Sequence, residues 1–232
     1  MRILLSDTET TCLGDEAEIC ELAFVEVDSD LNEILRFSSL VNPKGLIQPD
    51  AAGASGITNR MIEDAPTIEQ VLESVRAECG QDYFSDVTLV CHNLKFDRRL
   101  LAPHWNVTGE LCTLRAAQRW YPDAPNHKLQ TLRHYLDIEI DASAHRALAD
   151  VLVMKELLYE LIEASGLGSL EALAIESAKP REITHMMFGK HRGTPLADLP
   201  SGYVGWLLAL PDLDEDLRVS LENRFKNKRR SA

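Results

Sequence analysis

The chain has 232 residues, 45% hydrophobic and 26% charged, which is the composition of a folded globular protein rather than a disordered or fibrous one. Its net charge of −13, from 24 Lys and Arg against 37 Asp and Glu, excludes broad electrostatic adhesion to nucleic acid but not an enzyme that grips a few nucleotides through bound cations. No apolar run approaches the roughly 18 residues that span a bilayer, and the opening Met1-Arg2-Ile3-Leu4-Leu5-Ser6-Asp7 turns acidic too early for a signal peptide. A cytoplasmic protein without membrane contact is therefore expected. The five cysteines (Cys12, Cys20, Cys79, Cys91, Cys112) are far apart and form no C-x-x-C pair, so they read as reduced thiols and not as a zinc site.

Residues 2–8, 19–27 and 34–41 carry strand patterns, the last two divided by the polar Asp28-Ser29-Asp30. Residues 43–59, rich in Gly and Ala, read as a loop. Ile68, Val71, Leu72 and Val75 give 67–79 a helical stripe. A short buried strand follows at 87–91, then a helix over 94–101 for which Asn93 offers an N-cap. Further helices are expected at 113–120 and 129–136, separated by Pro122 and Pro125, and a long one runs from about 146 to 164 and stops at Gly166. Strands first, then helices around one more strand, predict an α/β fold with a mixed sheet flanked by helices. After about Ser177 the character changes. Residues 1–178 are read as the main domain and 179–232 as a small appendage, with a helix over 212–225.

Four acids interrupt these patterns. Asp7 and Glu9 stand two apart on the first strand and share a face with Ile3 and Leu5. Asp97 leads Leu100 and Leu101. Asp150 heads a buried stripe continued by Met154, Leu157 and Leu161. Carboxylates directed at a core require cations. Hard divalent ions, Mg²⁺ or Mn²⁺, suit such oxygen ligands, and a pair of them cuts phosphodiesters. A solvated strand terminus is the alternative for Asp7 and Glu9, and an arginine partner or a cap on a neighbouring helix is the alternative for Asp150. His145 lies five residues before Asp150, off its helical face, at a loop–helix junction where an imidazole suits a general base near neutral pH. His92, directly after a strand, reads as a loop anchor.

Asp7-Thr8-Glu9-Thr10-Thr11, His92-Asn93-Leu94-Lys95-Phe96-Asp97 and the His145–Asp150 pair resemble, in order and spacing, the three motifs of the DEDDh (DnaQ-like) 3′→5′ exonucleases. The resemblance covers residues 1 to about 165. It implies a ribonuclease H-like fold with a five-stranded mixed sheet, and two divalent ions held by Asp7, Glu9, Asp97 and Asp150. It also implies His145 as general base, and contact of Thr10, Leu13, Ile57, Asn93, Phe96 and His145 with the terminal nucleotide; Leu13 and Phe96 serve equally well as core residues. Two departures stand out. Cys12 replaces the usual Gly of the first motif, and Ser55-Gly56-Ile57-Thr58 replaces His-Gly-Ile-Thr in the sugar-binding loop.

Phe188-Gly189-Lys190-His191-Arg192-Gly193, with Tyr203 and Trp206, resembles the C-terminal module of bacterial exodeoxyribonuclease X-like proteins. It is not a P-loop. Lys190, His191 and Arg192 either touch phosphate or form a turn anchored by Phe188, whereas Tyr203 and Trp206 read as a small core. The resemblance makes DNA 3′ ends the expected substrate, single-stranded before duplex. It leaves open an RNA-trimming enzyme, a catalytically silent interaction protein on the same scaffold, and homodimerisation.

Overall fold

The computed structural model describes residues 1–140 and 146–230, with residues 225–230 described by their backbone only. The chain divides into two compact units, Met1–Ala178 and Lys179–Ala232.

In the first unit, β1 (Arg2–Thr10), β2 (Ile19–Val27), β3 (Glu33–Leu40), β4 (Val87–Cys91) and β5 (Val107–Cys112) form one sheet of order β3-β2-β1-β4-β5. β2 pairs antiparallel with β1 and β3; β4 pairs parallel with β1 and β5. The polar stretch between β2 and β3 closes as an Asp turn, in which the Asp28 carboxylate accepts the amides of Asp30 and Asn32 at 2.9 Å each.

Among the described residues the helices beside this sheet are α1 (Pro49–Ser55), α2 (Asn59–Ile62), α3 (Ile68–Cys79), α4 (Leu94–Leu101), α5 (Thr113–Trp120), α6 (Leu129–Tyr135), α7 (Ala147–Ser165) and α8 (Leu170–Ala178). One apolar cluster joins Leu5, Val25, Val90 and Leu111 of the sheet to Met154, Leu157 and Leu161 of α7, with α5, α6 and α8 contributing at its margins. A second joins Leu4, Leu22, Phe24 and Leu89 to α3, α4 and the aromatic group Tyr83, Phe84 and Trp105. Strands covered in this way on both faces need continuous apolar runs, and all nine residues of β2 and all five of β4 are buried. Among the described residues no helix is long and apolar enough to cross a membrane.

The structure departs from the sequence expectations at four places. Residues 43–59 are not one loop. Pro49 opens α1 at a position where its missing amide is harmless, and Gly56, at φ 71°, closes it in the left-handed conformation. The edge strand β5 carries only a weak alternating pattern, which residues 101–113 alone do not reveal as a strand. α8 lies beyond Gly166, in a stretch for which the sequence predicts no element. Asn93 does not cap α4 with its side chain; it takes the left-handed conformation (φ 76°, ψ 48°), which asparagine tolerates better than most residues.

The second unit has its own apolar cluster of Ile183, Met186, Leu196, Leu199, Val204, Leu207, Leu217 and Leu221. Two helices supply much of it, α9 (Ser201–Leu208) and α10 (Glu215–Arg230), the latter displaced from the expected 212–225. Buried Asp216 accepts the Arg181 amide at 3.0 Å and the Arg181 Nε at 2.8 Å, and the Ser220 hydroxyl accepts the Ile183 amide at 2.8 Å. These bonds tie the entering segment to α10.

Candidate active site

β1 places Asp7 and Glu9 on the face that carries Leu5, and α7 packs on that same face, bringing Asp150 of its first turn to both. One carboxylate oxygen from each of Asp7, Glu9 and Asp150 lies within 4.8 Å of the others, and all three residues are half-buried. Asp97, in the first turn of α4, is 3% exposed and accepts the Thr8 hydroxyl at 2.8 Å. Three elements distant in sequence thus deliver four acids to the C-terminal end of β1.

Their protonation equilibria report the crowding. Burial holds Asp7 well above the usual carboxylate range, and the charges of Asp97, Asp150, Glu9 and Glu21 add to it. Glu9 is pushed up to about 7 by burial first and then by Asp150, Glu21 and Asp97, with Arg146 opposing. Burial also raises Asp97 to about 7 against the pull of its bond from Thr8. Like charges brought together out of water resist ionisation in this way. The donor set fits hard divalent cations, which take carboxylate oxygens and whose charge would relieve that repulsion. Asp7, Glu9 and Asp150 are close enough together to share one such ion, with Asp97 beside them.

Two further residues shape the site and do not stand out in the sequence. Glu21 on β2 stands directly across from Glu9 and is only 2% exposed. Its carboxylate accepts Arg146 Nε at 3.1 Å, Arg146 Nη2 at 2.6 Å and the Ala147 amide at 3.1 Å, so it anchors the start of α7. Glutamates inside a mostly apolar strand, Glu21 and Glu26, are the available signal, and the sequence does not say which of them serves the site. Gln130 of α6 donates from its side-chain amide to Asp150, a contact that no local pattern encodes.

The expected nucleotide contacts are scattered in character. Thr10 is buried and donates its hydroxyl to the Cys12 carbonyl at 2.8 Å. Leu13 is 83% exposed, Asn93 is exposed, and Phe96 is half-buried with the Arg99 guanidinium 5.4 Å from its ring centre. Ile57 is fully buried among Cys20, Ile47 and Ile62, so its side chain packs in a core and offers no surface to a nucleotide. Ser55, where family members often carry histidine, donates to the Ala51 carbonyl at 3.0 Å and accepts the Ile57 amide at 3.1 Å, so its hydroxyl is engaged locally. His92 bridges the Thr113 hydroxyl (2.9 Å) and the His127 carbonyl (2.8 Å), and burial lowers its pKa to about 4, which keeps it neutral. His145 lies outside the described residues; Arg146, which Glu21 anchors, follows it in the chain. A cavity of 380 Å³ between Asp15, Lys44, Glu69, Arg99 and His104 includes none of the four acids.

A mixed sheet of this order, with acids converging from β1, α4 and α7, defines a ribonuclease H-like exonuclease. The chain belongs to the exonuclease family of the RNase T type, which matches residues 4–158, and within it to the DEDDh, DnaQ-like group. It is 31% identical over 229 residues to exodeoxyribonuclease 10 of Escherichia coli K12, covering 95% of this chain and 97% of that one. The solved structure of exonuclease X in complex with 5′ overhanging duplex DNA superposes with a TM-score of 0.62 and 29% identity, over 76% of this chain and 99% of that one. The PolC-type DNA polymerase III of Bacillus subtilis is 32% identical over 167 residues, which are 68% of this chain and 11% of the polymerase.

Proposed function

We propose that the protein is a 3′→5′ exodeoxyribonuclease that releases nucleoside 5′-monophosphates from DNA ends, single-stranded ends being preferred. The observation that carries this reading is the meeting of Asp7, Glu9 and Asp150 within 4.8 Å, beside a buried Asp97. Similarity to exodeoxyribonuclease 10 along nearly the whole chain supports DNA as the substrate.

The four acids would hold two divalent ions, Mg²⁺ or Mn²⁺, which supply the positive charge that favours attack by water and departure of the 3′ oxygen. The chain does the positioning. Thr8 fixes Asp97, Gln130 fixes Asp150, and Glu21 fixes the start of the helix that carries Asp150. His145 accepts the proton of the attacking water. Phe96, half-buried and one residue before Asp97, gives the substrate end an aromatic face. The free cysteines suit a reducing, cytoplasmic setting.

The test follows a 5′-labelled single-stranded DNA oligonucleotide with Mg²⁺ or Mn²⁺, for wild type and His145→Ala in parallel. A ladder that shortens from the 3′ end and is lost in the variant is the expected result. The RNA version of the same oligonucleotide ranks the two sugars. Absence of cleavage with either metal on either substrate overturns the reading in favour of a non-catalytic scaffold.

A further inference from the structure

Residues 179–232 hold ten Lys and Arg against seven Asp and Glu, but four of the ten (Lys226, Lys228, Arg229 and Arg230) lie at the end of the chain; residues 179–225 hold six against seven, and two of those six, Lys190 and Arg192, belong to one glycine turn. In this unit Tyr203 packs against the apolar cluster as expected, whereas Trp206 does not join it. Val204 and Leu207 of α9 are buried, but Trp206 is 54% exposed. Tyr203 and Trp206, three apart and so on one helical face, are stacked with ring centres 5.5 Å apart and planes 27° from parallel.

A glycine turn extends this stack. Gly189, at φ 68°, opens a single 3-10 turn, Gly189–His191, a conformation that glycine adopts without strain. The turn sets the His191 ring 4.5 Å from the Tyr203 ring centre and the Lys190 ammonium 5.4 Å from it. Arg192 follows directly, and Phe188, before the turn, is 44% exposed. The exposed Trp206 ring, backed by Tyr203 and with the Lys190 ammonium and the tilted His191 ring on the far side of Tyr203, makes an arrangement that takes a base on Trp206 and a phosphate on the turn's cations.

We propose that the His191–Tyr203–Trp206 face is a stacking site for single-stranded nucleic acid, with Lys190 and Arg192 on its phosphates. This deepens the exonuclease reading and rests on it for the choice of DNA as ligand. The acidic balance of the chain disfavours strand binding elsewhere except through metal cations, whereas Lys190 and Arg192 give this turn two cations of its own. Stacking on a π-face does not distinguish bases and leaves the 2′-hydroxyl unread, so the site is tolerant of sequence and sugar. A protein partner is the competing occupant, but it does not explain the Lys190 ammonium held over the Tyr203 ring beside a bare tryptophan.

The experiment uses the full chain in EDTA, so that no strand is cut, and measures fluorescence anisotropy of labelled (dT)20. Trp206→Ala is expected to raise Kd about tenfold, since one base–aromatic stack is worth on that order, and Trp206→Phe to restore most of the affinity. Lys190→Gln is expected to weaken binding and flatten its salt dependence. Hydrolysis of the p-nitrophenyl ester of thymidine 5′-monophosphate in Mn²⁺, too small a substrate to need this face, should be unchanged in all three variants. An unchanged (dT)20 affinity in Trp206→Ala overturns the proposal and leaves the face to a protein partner. Failure of Trp206→Phe to restore binding, at wild-type melting temperature, overturns it as well. If wild type fails to hydrolyse the ester or any DNA, the exonuclease reading fails, while the binding measurement in EDTA still decides the stacking site.

Discussion

Glu9→Gln is expected to stabilise the metal-free protein while abolishing its activity. Glu9 shares its half-buried site with Asp7 and Asp150 and faces Glu21 across the sheet. Its rise from 4.5 to about 7 corresponds to an upper bound of about 3 kcal/mol of unfavourable ionisation. Part of the side chain remains in water, so screening brings this to about 1–2 kcal/mol. A folded-state pKa above the unfolded value means that the folded protein binds the extra proton between the two. Stability is therefore highest below pH 4.5, falls as pH rises toward 7, and is flat beyond. In a unit of this size the amide should raise Tm by roughly 2–8 °C at pH 8. The assay is a thermal melt of wild type and variant in EDTA at pH 5 and pH 8. The gap should be open at pH 8 and nearly closed at pH 5, and added Mg²⁺ should raise the Tm of wild type far more than that of the variant. A variant less stable than wild type in EDTA at pH 8 would refute the reasoning, because Glu9 would then be held by favourable contacts.

Glu21→Gln should lower kcat on DNA by about tenfold with little change in KM, because the carboxylate orients the start of α7 without belonging to the group of four acids; steady-state kinetics decide it. Arg146→Gln is expected to be the more destabilising of the pair, by about 3 kcal/mol, since it leaves the buried Glu21 charge without its cation; urea denaturation compares the two. Gly109→Ala should cost about 1–3 kcal/mol, because a β-carbon there would lie 2.6 Å from the Thr88 hydroxyl oxygen on the neighbouring strand. Equal midpoints for Gly109→Ala and wild type in the same titration would show that Thr88 rotates away freely.

Elements with a strong period are legible in the sequence alone. The stripe Met154, Leu157 and Leu161 locates α7, and the apolar runs locate β1, β2 and β4. Signals spread over mixed composition are not legible in this way. Pro49 and Gly56 bracket α1 in the regular manner, yet the surrounding Ala and Gly conceal it. β5, with Gly109 at its centre and exposed alternate residues, reads like a loop because an edge strand need bury little. Asp7, Glu9, Asp97 and Asp150 stand out because each breaks an apolar pattern, and their residue types state their chemistry. Glu21 breaks one too, but its meaning depends on Arg146, 125 residues away. Gln130 breaks nothing and acquires its role only from the packing of α6 beside α7. Tyr203 joins the apolar cluster as its pattern suggests, but Trp206 misleads because the local pattern does not tell which side of a short helix the core will take.

The pairing of Glu9 with Glu21 shows how the sheet separates two uses of the same functional group. Directly opposed like charges are unfavourable on a sheet, and a buried pair more so. One of the two, Glu21, is held within the chain by a two-toothed arginine and a backbone amide. The other, Glu9, joins Asp7 and Asp150, where mutual repulsion opposes ionisation. The first carboxylate is thereby committed to fixing α7, and the second is kept for a cation from outside. The same helix start carries both consequences, because Arg146 and Ala147 lie between His145 and Asp150 in the chain. Whatever shifts that start changes the proposed base and the proposed ligand together. Loss of Glu21 should accordingly act on turnover more than on the affinity for DNA.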